Sequence, residues 1–170
     1  VNALLGKRGT PLPIYAHNQD DERFRSLSYH QVTEAREIKA GEWLTIGPWQ
    51  VSFCQTEHPV YCLAMRFSNQ AQTKHLVYTA DTYWSDDLVS FSGGADVLLC
   101  ESSLYDEGQA RQSGHMTPSL AGRLAREAKV KELILTHLPH FGDHQELMKQ
   151  AKGQFDGPVH LAETGLIIEI

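Results

Sequence analysis

Residues 76–81 read Leu-Val-Tyr-Thr-Ala-Asp, residues 96–101 read Asp-Val-Leu-Leu-Cys-Glu, and residues 132–137 read Glu-Leu-Ile-Leu-Thr-His. Each is a short apolar run that ends in a side chain able to hold a proton or a metal. Such runs, bounded by polar residues, are the pattern of core strands. Helical patterns separate them. Asp86-Asp87-Leu88-Val89 suits a short helix. Thr117 suits an N-cap with Pro118 in the favoured first position, and Leu120, Ala121, Leu124, Ala125 and Ala128 form one apolar stripe. Strand and helix in alternation predict a layered α/β domain. Polar residues at the C-terminal ends of strands commonly build the site in such sheets. Asp81, Glu101 and His137 would meet there from three different strands.

Upstream, Leu12–Ala16 reads as a strand, with a polar stretch after it to about Arg25. Residues 31–38 alternate in part. The segment Gly41 to Pro48 reads as turn, strand and turn, Trp49–Cys54 alternates cleanly, and Tyr61–Phe67 is rich in strand formers beyond His58-Pro59. This half is expected to be a series of antiparallel strands. Downstream, Asp143 with Glu146 three residues later predicts a capping box for a helix to about Gln154, and 159–162 and 166–170 read as closing strands. No repeat, low-complexity tract or linker divides the chain, so residues 1–170 are expected to form a single domain.

At 170 residues the chain can bury one core. No apolar run approaches the roughly 18 residues needed to span a bilayer. Fifteen Lys and Arg against twenty-one Asp and Glu give a formal charge of −6, which would repel a polyanion without metal ions or a local basic patch. Cys54, Cys62 and Cys100 are an odd number without CxxC spacing, the pattern of reduced core thiols in a cytoplasmic protein. The chain opens on Val1 without a signal-peptide pattern, which suits a processed chain or a fragment.

Imidazoles and carboxylates together suit a divalent cation, and a site with open positions polarises a phosphoryl or carbonyl oxygen. His58, Asp81 and His137 are the candidate ligands. Each has a simpler reading: His58, fixed by Pro59, as a loop histidine bonded to backbone; Asp81 as a turn or cap residue; His137 as a strand-end histidine. His115, just before the Pro118 helix, reads either as a loop histidine or as an imidazole poised for a phosphate or a leaving oxygen. The series His137, His140, Asp143, His144 looks like a compact metal cluster, but Asp143 is explained as a helix cap and His144 falls in that helix's first turn. His140 stays open between pocket and exposed loop.

Taken in order, Glu57-His58-Pro59, Thr79-Ala80-Asp81-Thr82, Gly114-His115-Met116-Thr117 and Leu135-Thr136-His137-Leu138 resemble the second half of a metallo-β-lactamase superfamily hydrolase. The branch is that of ribonuclease Z and its phosphodiesterase-like relatives. The resemblance covers essentially the whole chain and implies a four-layered αββα fold with two divalent metal ions, usually zinc. It makes His58 a ligand to one metal, Asp81 the bridging carboxylate and His137 a ligand to the second metal. It also puts His115 near the scissile phosphate, supported by Glu101. Three departures stand out. The early H-x-H-x-D-H signature is absent, Cys100 and Met116 replace a histidine and a serine of the branch's loops, and no Gly/Pro-rich tRNA-gripping arm is present. The chain is therefore expected to be the C-terminal portion of a larger hydrolase, carrying only part of the site.

The expected function is phosphodiester hydrolysis by a metal-bridged hydroxide, with Asp81 and His115 as the catalytic pair. The partner would be a phosphodiester or nucleotide, RNA included, with a homodimer as the one protein assembly kept in view. A ribonuclease Z-like tRNA 3′-end endonuclease is the alternative enzyme. A nucleotide- or protein-binding module that has lost its metal is the alternative of another class.

Overall fold

The structure, a computed structural model, describes residues 9–170; the Val1 opening lies outside the described residues. The chain divides between Glu42 and Trp43 into two compact units.

In the first unit, β1 (Leu12–Ala16) and β2 (Thr33–Glu37) pair in parallel, Leu12 opposite Thr33. The expectation of antiparallel strands fails here because residues 17–32 form a crossover, long enough to return the chain to the same direction. It contains α1 (Asp21–Ser26), capped by the Asp20 side chain, which accepts from Arg23 N at 3.0 Å. None of its residues is buried, so no apolar stripe announces it.

The second unit is built on a seven-stranded sheet whose strands lie side by side in chain order. β3 (Trp43–Ile46), β4 (Trp49–Gln55), β5 (Leu63–Asn69) and β6 (His75–Tyr78) form an antiparallel meander. Gly47, at φ 58°, turns the tight β3–β4 connection. β7 (Val97–Glu101), β8 (Glu132–Thr136) and β9 (Val159–Leu161) then continue the sheet in parallel. Between them run α2 (Asp86–Ser92), α3 (Glu107–Ser113), α4 (Pro118–Glu127) and α5 (His144–Lys152).

Alternation decides which face the helices cover. Val77, Leu98, Cys100, Leu133 and Leu135 point to one side and pack with Leu88 of α2, Leu120 and Leu124 of α4 and Leu147 of α5, all at most 5% exposed. Burying each such leucine contributes about 1.5–3 kcal/mol. On the opposite face Leu76, Leu99 and Ile134 line a cavity of about 280 Å³ with Leu166, Ile168 and Ile170. Residues 166–170 were expected to be a strand and are not one. Their alternation lays three apolar side chains along the sheet face instead of adding an edge. Sheet and helical layer make up two layers of the αββα arrangement.

The caps follow the sequence with two differences. Thr117 accepts from Leu120 N at 3.2 Å and Pro118 opens α4. Asp143 caps α5 through Gln145 N at 2.9 Å, but the Glu146 carboxylate lies 3.5 Å from Lys149 Nζ and does not complete a capping box. Helix α3, not assigned from the sequence, buries only Ala110 and is defined by its ends, the Asp106 cap and Gly114 at φ 76°. Among the described residues no helix is long and apolar enough to cross a membrane.

Candidate metal centre

The C-terminal ends of β6, β7 and β8 lie side by side, so the residues that leave them converge. Asp81, Glu101, His115 and His137 each bring one ligand-capable atom within 4.8 Å of all the others. His137 Nδ1 lies 3.1 Å from Asp81 Oδ1, and His115 Nδ1 lies 2.7 Å from Glu101 Oε1. The His115 ring is centred 5.4 Å from that of His137 and 5.0 Å from that of His58. Of the residues singled out in the sequence, Asp81, His115 and His137 thus come together directly, and His58 stands beside them through His115.

The backbone is bent to achieve this. Ala80, just before Asp81, has φ 52° and His137 itself has φ 51°. A non-glycine residue in this left-handed region costs of order 1–3 kcal/mol, and such strain tends to gather at working sites. Hydrogen bonds hold the loops. Thr56 Oγ1 donates to Asp81 O at 2.9 Å, Tyr83 N to Glu57 O at 2.8 Å, and Glu57 N to Thr82 Oγ1 at 3.2 Å, tying the loop of His58 to that of Asp81. Gly114 seals the third loop: a Cβ there would lie 2.5 Å from Pro59 Cδ and 3.2 Å from His58 Cα. No larger residue would let the His115 loop approach the His58 loop this closely.

Glu101 is completely buried. Its Oε1 accepts from Thr82 N at 2.9 Å and faces His115, while Oε2 accepts from Ser103 N at 3.3 Å and Ser103 Oγ at 3.1 Å. With both oxygens engaged, Glu101 is better suited to orienting His115 than to gripping an ion, although distance alone would admit it as a ligand. Asp81 and His137 are more open, at 37% and 46% side-chain exposure, and can receive one. His58 Nδ1 lies 2.9 Å from Val60 O. Val60 N also lies 3.2 Å from the same nitrogen. In the tautomer that donates Nδ1–H to the closer carbonyl, Nε2 keeps the lone pair, the arrangement that ligating histidines commonly use.

Neighbouring groups register the negative field. The Tyr78 phenol is pushed up by burial and then by the charges of Asp81 and Glu101; the Cys62 thiol is pushed up by burial and then by Asp81. The cluster brings together two imidazoles and two carboxylates. Such a donor set fits a divalent metal.

The remaining histidines separate from the site. His144 Nε2 lies 3.0 Å from Pro139 O, closing the loop before α5, and His140 is exposed outside the cluster. The two departures from the branch's loops pair with each other: Cys100 Sγ lies 3.7 Å from Met116 Sδ, both fully buried, and burial drives the Cys100 thiol far up. These positions are packing, not chemistry. The cysteines are free.

Comparison with known proteins agrees with this architecture. A family model described as the β-lactamase superfamily domain matches residues 3–138. The "Probable metallo-hydrolase YhfI" of Bacillus subtilis (strain 168) is 43% identical over 169 residues, 99% of this chain and 68% of that protein. The crystal structure of this metallo-β-lactamase fold protein superimposes with a TM-score of 0.87 at 42% identity, over 92% of this chain and 64% of that one. A ribonuclease Z of Myxococcus xanthus (strain DK1622) is 38% identical over 101 residues, 57% of this chain and 33% of that protein. A diphosphatase of the PhnP family, at 19% identity and a TM-score of 0.74, covers all of this chain and 62% of its own, and shares the fold. The chain spans about two thirds or less of the length of each. With the family model covering most of the chain and a 43% identical relative matching it almost end to end, the protein belongs to the metallo-β-lactamase superfamily.

Proposed function

We propose that the protein is a divalent-metal-dependent phosphodiester hydrolase. The observation that carries the reading is the meeting of Asp81, His137, His115 and Glu101 within 4.8 Å at the strand ends. Asp81 and His137, with His58 beside them, would hold the metal, for which two ions, zinc by the donor set and the resemblance, are proposed. A metal bound there would polarise the phosphoryl oxygen and lower the pKa of water to about 7. Glu101 fixes the His115 ring through Nδ1, leaving Nε2 to stabilise or protonate the leaving oxygen. The ribonuclease Z named above supports a phosphodiester as the substrate class.

The 170 residues contain no H-x-H-x-D-H series. We therefore propose that they form the C-terminal portion of the hydrolase, and that the remaining ligands come from a segment outside them. Three ligands fix a binuclear centre poorly, so the 170-residue chain alone is expected to bind metal weakly. A tRNA 3′-end endonuclease is a second reading, favoured by the same relative and opposed by the missing Gly/Pro-rich arm and the −6 charge.

Hydrolysis of bis(p-nitrophenyl) phosphate by the full-length protein tests the proposal. Turnover should vanish with EDTA, return with zinc, and fall about 10²–10⁴-fold in His115→Ala while metal content is retained. Binding of nucleotide without turnover, or turnover indifferent to EDTA, would instead favour a module without a working metal centre or a different chemistry.

A further inference from the structure

Beside His58 lies a second feature that the metal centre does not use. Glu57, His58, Tyr83, Trp84, Arg111 and Gly114 are among the residues lining a cavity of about 540 Å³. That volume lies within the range of small-molecule sites. It opens from the same loops that carry His58 and His115, whose rings are 5.0 Å apart.

Arg111 distinguishes this cavity. Every other described arginine is engaged: Arg23 with Asp20, Arg25 with Asp21, Arg36 with Glu34, Arg66 with the carbonyls of Phe91 and Gly93, Arg123 with Glu127, and Arg126 with Gln154. Arg111, on the last turn of α3, has no hydrogen-bond or ion-pair partner among the described residues. Arg111 is exposed among the residues lining the cavity, and a planar guanidinium without a partner there is a ready ligand for phosphate oxygens.

The aromatic wall is held in advance. The Arg123 guanidinium sits 4.3 Å from the Trp84 ring centroid, and Glu127 holds that arginine at 2.7 Å. Tyr83 is fixed through its bridge to Glu57. Aromatic walls of this kind receive nucleobases through stacking that does not depend on base identity.

We propose that this cavity is a subsite for the nucleoside flanking the scissile phosphate, with Tyr83 and Trp84 against the base and Arg111 on a second, non-scissile phosphate. It rests on the proposed phosphodiesterase reading and narrows the substrate to a nucleotide carrying at least two phosphate groups.

The test is binding of uridine 3′,5′-bisphosphate to the full-length protein in EDTA, followed by isothermal titration calorimetry, with uridine as the comparison. The bisphosphate should bind at least tenfold tighter than uridine. Arg111→Gln should erase that advantage and Arg111→Lys keep part of it. Lys149→Gln, the same charge change elsewhere on the surface, should leave binding unaltered. Equal affinity for bisphosphate and uridine, or an Arg111→Gln affinity matching the parent, overturns the subsite. Because turnover is silent in EDTA, failure of bis(p-nitrophenyl) phosphate hydrolysis with Arg111-dependent binding intact would sink the hydrolase reading and leave the subsite standing. Hydrolysis without bisphosphate binding would do the reverse.

Discussion

Glu101 carries no exposed surface, yet its two oxygens connect three loops. Glu101→Gln keeps the shape but removes the charge and turns one of two accepting oxygens into an NH2 donor, so His115, Thr82 and Ser103 can no longer all be satisfied. Turnover should fall about 10- to 100-fold with a displaced pH profile, while metal content stays at the parent value. Loss of metal in step with activity would make Glu101 a ligand instead. Gly114 is constrained differently. Its φ of 76° and the 2.5 Å approach of any Cβ to Pro59 mean that Gly114→Ala must strain the backbone and push on the His58 loop. We expect a loss of about 1–3 kcal/mol in urea unfolding and weaker metal binding.

At the scale of elements, α4 and α5 meet at Gly122, where an added Cβ would run into the Ala151 carbonyl oxygen. A glycine-to-alanine change inside a helix ordinarily adds up to about 1 kcal/mol. Here the collision with backbone reverses the sign, and Gly122→Ala should lower the unfolding midpoint by an amount equivalent to about 1–3 kcal/mol. The elements that were plain in the sequence are those whose burial writes a pattern. β6, β7 and β8 are apolar runs, and the α4 stripe Leu120, Ala121, Leu124, Ala125 and Ala128 is wholly buried. Helices α1 and α3 bury none and one of their residues, so nothing periodic marks them. The parallel pairing of β1 with β2 depends on the path of the crossover, which local residue choice does not encode. Residues 166–170 show a true period of two that serves a sheet face rather than a sheet edge. In the site, the strand-end positions of Asp81, Glu101 and His137 were legible. The closeness of His58 to His115 was not, because it comes from loops 57 residues apart brought together at Gly114. Arg111 carried no motif at all.

Across the whole molecule, acid should unfold the protein from the end of the sheet opposite the metal centre. Asp96 is buried, which pushes its carboxyl up, but Lys131 Nζ at 2.7 Å and the His75 amide at 2.7 Å outweigh this and hold it below the ordinary carboxylate value. His75 is held below the usual imidazole value by burial and then by Arg66. In both cases the unfolded chain binds the proton more readily, so the stabilisation is complete above the unfolded values and is lost as pH falls. Stability should start to decline below about pH 6.5, as His75 protonates in the unfolded chain, and decline further below about pH 4 through Asp96. Urea midpoints from pH 8 to 3 should follow that course, and Asp96→Asn should flatten its acid end. In the proposed hydrolase, three strand ends assemble a metal centre completed by residues outside these 170. The direct test is metal content per chain of the full-length protein, measured by plasma mass spectrometry, beside that of Asp81→Ala. The account predicts about two ions in the parent and a clear loss in the variant; unchanged metal in Asp81→Ala would contradict it.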